Sequence, residues 1–169
     1  MPRPEVMVTV HENGIPDPTG LDDPVTGLEG PVLWRLLLAS ELARSTRYGR
    51  PLTIVLVEAE GITDLHLAWG GEVARETVRE IALCIRRLAR SSDHCARIGR
   101  TRFGILLTET DEIAAINFVE RVRETGPRSL PRAADQVRFT FGWTSPHPGE
   151  AAEAVLRRAE SRMMADRAV

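Results

Sequence analysis

Residues 90–107 decide the fold, and they read Arg-Ser-Ser-Asp-His-Cys-Ala-Arg-Ile-Gly-Arg-Thr-Arg-Phe-Gly-Ile-Leu-Leu. Two short apolar segments, 95–98 and 103–107, lie on either side of the polar turn Gly-Arg-Thr-Arg. Apolar runs joined by a short polar turn that contains glycine are typical of a β-hairpin. The sequence therefore predicts a sheet that contains at least one antiparallel pair of strands.

Helices and further strands are predicted on both sides of this hairpin. The aliphatic run Leu52–Val57 is too short for a helix and suits a central strand that is buried on both faces, and 137–143 suits another strand. Apolar residues at three- and four-residue spacing predict amphipathic helices over 32–47, 72–88, 111–124 and 150–166. This order implies an α/β (α+β) fold, in which helices flank a mixed, mainly antiparallel sheet of about five strands.

Composition narrows the class of protein. A chain of 169 residues with 43% hydrophobic content has the size of one ordinary domain. The net charge of −2 gives no bulk attraction to nucleic acid or to an anionic membrane, and the two cysteines fit neither a disulfide framework nor a metal spacing. No signal peptide and no membrane span is recognisable, so we expect a cytoplasmic protein. Residues 1–22, rich in Pro, Gly and Asp, are expected to be a flexible segment before a domain over 23–169.

Several landmarks, taken in order, resemble a known family. Asp23-Pro-Val-Thr-Gly-Leu28 is similar to the opening turn of the diguanylate cyclase domain, which is named GGDEF after its Gly-Gly-Asp-Glu-Phe signature. Leu52–Glu60 resembles the family's first strand, 95–107 its signature hairpin, and Thr140-Phe-Gly142 its last core strand. The closing helix from Ala159 is also similar. The resemblance covers roughly residues 23 to 167 and implies a nucleotidyl-cyclase-like fold.

The signature itself is degenerate. At its five positions the chain carries Gly99, Arg100, Thr101, Arg102 and Phe103. In the family a metal activates a ribose hydroxyl of GTP, and the resemblance places its strand ligand at Glu58, with Glu60 on the same side. The second metal carboxylate corresponds to Thr101, and a cationic neighbour opposes a metal ion. Magnesium and cyclase activity are therefore not expected, and no cofactor is required.

The positions that read guanine in the family also depart from its pattern. The family's asparagine corresponds to His66 and its aspartate to Arg75, so the acceptor for the Watson–Crick edge of the base is missing. Arg100 stands where a glycine would let a phosphate approach the backbone. The resemblance therefore implies that this cleft does not hold GTP in the way that an active enzyme does.

A second motif of the family is retained. Arg90-Ser-Ser-Asp93 is followed by five residues and then Gly99, which is the spacing of the family's inhibitory site for cyclic di-GMP. An arginine can donate two hydrogen bonds to O6 and N7 of guanine, while an aspartate can accept from the N1 and N2 hydrogens of a second guanine. The resemblance places secondary contacts at Arg121 and at Arg44, the latter usually given by a neighbouring subunit.

These observations give one leading hypothesis and two alternatives. The leading hypothesis is a catalytically inactive receptor for cyclic di-GMP that acts on an effector protein not identified by the sequence, or through a ligand-bridged homodimer. The first alternative is a pseudoenzyme that binds protein partners and no nucleotide. The second is a metal-independent GTP binder in which Arg100 and Arg102 neutralise phosphate. Nucleic acid and membrane insertion are not expected.

Overall fold

The structure, a computed structural model, describes residues 14–169. Five α-helices, four strands and one 3₁₀ turn make up this part of the chain. In chain order they are α1 (Pro31–Tyr48), β1 (Leu52–Glu60), α2 (Ile62–Trp69), α3 (Gly71–Leu88), β2 (His94–Arg97), β3 (Arg102–Thr108), α4 (Glu112–Ser129), the 3₁₀ turn (Arg132–Ala134), β4 (Arg138–Thr144) and α5 (Ala152–Arg167).

The sheet has the order β2-β3-β1-β4, and all three strand pairings are antiparallel. The hairpin and the central position of β1 are as expected, but the expectation of about five strands in a mixed sheet is wrong for the described residues. The segment before α1 meets the free edge of β2 through one residue, Glu29, which makes a single parallel bridge to Ala96. Gly30 and Pro31 follow at once and begin α1, so no fifth strand can form there.

Each face of the sheet is covered by helices, because the strands carry apolar residues on both sides. Val55 and Val57 belong to the large core under α3 and α4. Ile54 packs with residues of α1 and α5, and Leu56 packs with Ala159 of α5. The alternation follows from the two-residue period of a strand and explains why 52–57 reads as a continuous aliphatic run.

The sequence patterns gave no prediction for α2. This helix has only eight residues, and it lies between two glycines with positive φ, Gly61 at 88° and Gly70 at 90°. A helix this short shows too few turns for a periodic pattern. The helix predicted over 111–124 instead runs to Ser129, with Gly126 packed against the ring of Phe139.

Residues 14–22 pack against the domain. Ile15 is fully buried in the large core, and the carbonyl oxygens of Gly14 and Pro16 accept hydrogen bonds from arginine side chains. The predicted flexible segment therefore includes packed residues from 14 onward, while 1–13 lie outside the described residues and the domain boundary at residue 22 stays a prediction. Among the described helices, none combines the length and the apolar character that crossing a bilayer requires.

Candidate functional site

A cleft opens where β1 ends, beside the turn of the β2–β3 hairpin. It encloses about 370 Å³ and extends to the start of α2 and the last turns of α5. Its polar lining comes mainly from Glu58, Glu60, Thr101, Arg102 and Arg167. The structure thus brings together the residues that the sequence assigned to the former metal site.

Both carboxylate oxygens of Glu58 are engaged by the hairpin. The hydroxyl of Thr101 donates to Oε1 at 2.5 Å, and Nε of Arg102 donates to Oε2 at 2.7 Å. The register of the antiparallel pair places Glu58 opposite Arg102, which explains the contact. Arg102 also lies 3.5 Å from Glu160 of α5. A guanidinium therefore sits directly on the carboxylate that would otherwise coordinate a metal.

The second carboxylate of the cleft is paired as well. Nε of Arg167, near the end of α5, lies 3.0 Å from Oε1 of Glu60. A hard cation needs several free oxygen ligands, and here Glu58 and Glu60 already have arginine counter-ions. No cluster of three acidic, His or Cys side chains suited to a metal occurs between residues 14 and 169. The residues of this cleft do not fit a magnesium ion.

His66 on α2 and Arg75 on α3, the predicted nucleotide-reading positions, do not line this cleft. Nη1 of Arg75 donates to the carbonyl oxygen of Gly14 at 3.0 Å, and its other nitrogen bonds to Glu72. At the hairpin turn, Nη2 of Arg100 lies 3.3 Å from Oδ2 of Asp17. The predicted nucleotide-reading positions are thus in contact with residues 14–17 of the same chain.

The two remaining signature positions serve the hairpin. The N–H of Gly99 bonds to the carbonyl oxygen of Arg102 at 3.2 Å and closes the turn, and the ring of Phe103 is completely buried in the large core. Both have structural explanations that need no ligand.

Asp93 lies at the corner where α3 gives way to β2, and its carboxylate is turned inward. Oδ2 accepts from the N–H of Arg90 at 2.7 Å, and Oδ1 accepts from the N–H of Thr108 at 3.0 Å. The residue is only 4% exposed. Asp93 therefore closes the turn that connects helix and strand, a role that the sequence did not predict.

Arg90 lies at this same corner, and Arg121 contacts the chain two residues before it. The side chain of Arg90 is exposed. Nη2 of Arg121, on α4, donates to the carbonyl oxygen of Leu88 at 3.2 Å, two residues before Arg90. Arg86 and Arg87, from the last turn of α3, add to the positive charge. Within residues 14–169, none of these four arginines forms an ion pair with a carboxylate.

Arg44 lies elsewhere, on α1. Its Nη1 is 3.2 Å from Oε1 of Glu41, and it shares a small depression with Thr108, whose N–H bonds to Asp93. Glu41 also lies 3.6 Å from Nε2 of His94. Arg44 thus stands next to the corner and is not part of it.

Some residues of the cleft and of the α3–β2 corner were not predicted from the sequence. Arg167 and Glu160 are helix residues whose partners lie on distant strands, so no local pattern indicates the pairing. Arg86 lies four residues before Arg90 and donates to the carbonyl oxygen of Asp93 at 3.1 Å. Because Arg90 lies beyond the end of α3, helical spacing could not have indicated that these two arginines lie together.

Comparison with known proteins agrees with this architecture. The family model for "Diguanylate cyclase, GGDEF domain" matches residues 21–168. Diguanylate cyclase DosC of Escherichia coli (strain K12) is 28% identical over 95 residues, which are 56% of this chain and 21% of that protein. Diguanylate cyclase DgcP of Pseudomonas aeruginosa is 27% identical over 146 residues, 85% of this chain and 22% of that protein. The chain spans about a fifth of the length of these curated relatives.

Solved structures give the same fold. Diguanylate cyclase SiaD of Pseudomonas aeruginosa, in complex with its activator SiaC, superposes with a TM-score of 0.81 at 25% identity and covers 88% of this chain and 58% of its own. The GGDEF domain of DgcB from Caulobacter crescentus, in complex with c-di-GMP, has a TM-score of 0.81 at 18% identity over 89% of this chain and 91% of its own. At that identity the second likeness shows the fold alone.

Proposed function

This chain belongs to the diguanylate cyclase (GGDEF) family, and from that membership we propose that it is a non-catalytic domain that binds cyclic di-GMP. One observation carries the proposal, namely how the arginines are paired. Carboxylate partners are found for Arg102 and Arg167 in the cleft and for Arg75 and Arg100 at the predicted nucleotide-reading positions, whereas the described residues supply none for the arginines of the α3–β2 corner. Of these two places, the corner is the one that offers an anionic ligand guanidinium groups without a carboxylate partner.

Loss of catalysis follows from the chemistry of the cleft. Metal-dependent attack on a phosphate requires a cation held by oxygen ligands. Here Arg102 takes that place beside Glu58 at 2.7 Å. A guanidinium supplies charge, but it has no open coordination position and cannot activate a hydroxyl as a metal does. Several interactions that act together are missing, so the expected turnover of GTP is nil.

The corner suits a cyclic dinucleotide because such a ligand offers two phosphodiester charges and two guanine edges. The exposed guanidinium of Arg90 can reach O6 and N7 of guanine, and Arg121 lies close enough to meet a phosphate. Asp93 does not face the ligand in this conformation. We assign it to holding the turn that presents Arg90, which revises the direct base contact expected from the motif.

The second alternative, metal-independent GTP binding, receives less support. It needs Arg100 and Arg102 free to neutralise phosphate, yet Arg100 faces Asp17 and Arg102 faces Glu58 and Glu160. Binding phosphate would require these ion pairs to break first. The first alternative, a domain that binds only protein partners, predicts no nucleotide affinity at all. A titration with cyclic di-GMP therefore distinguishes it from the proposed function.

Isothermal titration of the chain with cyclic di-GMP tests the proposal. We expect binding at tens of micromolar or tighter, and a loss of about tenfold or more in Arg90→Ala, since hydrogen bonds to charged groups contribute roughly 1.5–3 kcal/mol. Arg157→Ala, an exposed arginine on α5, is the matched control and should bind like the parent chain. Sedimentation with and without ligand measures whether a homodimer forms.

Two results would reject the proposal. One is absence of heat at tens of micromolar, or equal affinity in the Arg90→Ala and Arg157→Ala chains. The other is formation of cyclic di-GMP from GTP and Mg²⁺ in a product assay, which would show that the ion pairs of the cleft do not prevent catalysis.

A further inference from the structure

Residues 14–17, Gly-Ile-Pro-Asp, pack as a strap against α2, α3 and the β2–β3 hairpin. Besides Arg97, the strap contacts His66, Arg75 and Arg100. These are three of the positions at which the chain departs from the family's nucleotide-binding pattern. The replacement side chains have therefore acquired an intramolecular partner in the place of a nucleotide.

This surface binds the strap through its backbone, as a peptide-binding site binds a peptide. The carbonyl oxygen of Gly14 accepts from Nη1 of Arg75 at 3.0 Å, and that of Pro16, two residues on, accepts from Nη1 of Arg97 at 3.0 Å. Two guanidinium groups thus hold the backbone of the strap at alternate carbonyl groups.

Side chains of the strap add selectivity. Ile15 is fully buried in the large core and acts as an apolar anchor. Gly14 has φ of +66°, and a Cβ there would lie 2.8 Å from the imidazole of His66, so only glycine fits against this ring. Asp17 adds an acidic group opposite Arg100 at 3.3 Å. The four positions thus define a pattern of glycine, aliphatic residue, proline and acid.

We propose that the surface formed by His66, Arg75, Arg97 and Arg100 is a recognition site for a peptide of this pattern, occupied in cis by Gly14–Asp17. The strap thereby engages the side chains that the resemblance places at the family's guanine-reading positions. The proposal goes beyond cyclic di-GMP binding at the corner and does not depend on it.

Thiol labelling of the full chain tests the docking of the strap. In Ile15→Cys the new thiol is buried when the strap is docked, and we expect Ellman's reagent to react with it at least about a hundredfold more slowly than with Ser40→Cys on the exposed side of α1. Adding Arg75→Ala should raise the rate about tenfold, because the strap loses one charge-assisted hydrogen bond. Adding Arg157→Ala should leave the rate unchanged.

The reaction of the two native thiols distinguishes release of the strap from global unfolding. Cys84 and Cys95 are both buried, so their reaction reports global opening, whereas release of the strap exposes only residue 15. If Arg75→Ala exposes the native thiols, Arg100→Ala replaces it, with an expected rise of about twofold for an exposed ion pair. Rapid reaction of Ile15→Cys would overturn the proposal, as would equal rates with and without the strap-contacting arginine. Millimolar GTP should not change the rate, and an acceleration by GTP would show a nucleotide site instead.

Discussion

Replacing Arg97 by methionine tests how the strap, the opening turn and the hairpin are held together. Nε and Nη2 of Arg97 donate to the two carboxylate oxygens of Asp23 at 2.7 Å each, and both side chains are completely buried. Nη1 donates to the carbonyl oxygens of Pro16 and Arg100 at 3.0 Å each. Two charge-assisted bonds at roughly 1.5–3 kcal/mol each, together with an uncompensated buried carboxylate, give an expected cost of about 4 kcal/mol.

Urea unfolding followed by tryptophan fluorescence measures this cost. With a slope of roughly 2 kcal/mol per molar, typical of small domains, the midpoint should fall by about 2 M. Because the desolvated carboxylate causes much of the loss, the double variant Arg97→Met/Asp23→Asn should be more stable than Arg97→Met alone. A cost below about 1 kcal/mol at pH 7 would refute this account of the buried pair.

The same pair predicts a pH dependence. Burial by itself would raise the pKa of Asp23, but hydrogen bonds from Arg97 and Thr26 outweigh it and lower the pKa below its ordinary value of 3.8. A lowered carboxyl pKa contributes stability that is present above this value and is lost as the pH falls through the folded-state pKa. The stability difference between the parent chain and Arg97→Met should therefore shrink below pH 3.8, and a constant difference would contradict the assignment.

Three further substitutions test other parts of the structure. Gly142→Ala should destabilise the chain by about 3 kcal/mol in urea, since a Cβ would lie 1.9 Å from the carbonyl oxygen of Ala159 and 2.6 Å from the nitrogen of Met163; a neutral effect would exclude this close packing of α5 on β4. Asp93→Ala leaves two backbone N–H groups without their acceptor and should cost about 2–4 kcal/mol, whereas a cost near zero would mean that the carboxylate faces solvent. Burial raises the pKa of Glu29 above 4.5, so stability should fall as the pH rises from 4.5 through the folded-state pKa; thermal melts of Glu29→Gln should lack this fall, and an unchanged slope would assign it to another group.

Most of the fold could be predicted, because apolar residues recur at clear intervals along its helices and strands. The hairpin, the central strand at 52–57 and the four long helices follow from apolar spacing alone. The expected fifth strand is not found among the described residues. Glu29 meets β2 at a single position, because Gly30 and Pro31 begin α1 directly after it. The strap was not predictable, since one buried residue, Ile15, shows no period.

The sequence predicted which residues lie together in the cleft, but not which hydrogen bonds the polar groups form. Family resemblance brought Glu58, Thr101 and Arg102 together, and antiparallel register makes them neighbours in the structure. It also indicated that Asp93 would face a ligand, whereas the carboxylate closes a turn through two backbone N–H groups. A sequence lists the polar groups of a motif, but which acceptor each donor takes depends on burial and on local geometry.

Internal ion pairs neutralise the two glutamates at the end of β1. Glu58 and Glu60 lie two residues apart at the end of β1, where two unpaired carboxylates would repel each other. Arg102 and Arg167 remove that repulsion as internal counter-ions. A carboxylate restored at Thr101 would first meet Arg102, and the guanidinium would compete with any entering cation. Under the proposed function, a metal site therefore requires removal of the arginine as well as an acid at Thr101, and single substitutions in the signature are expected to yield no cyclase activity.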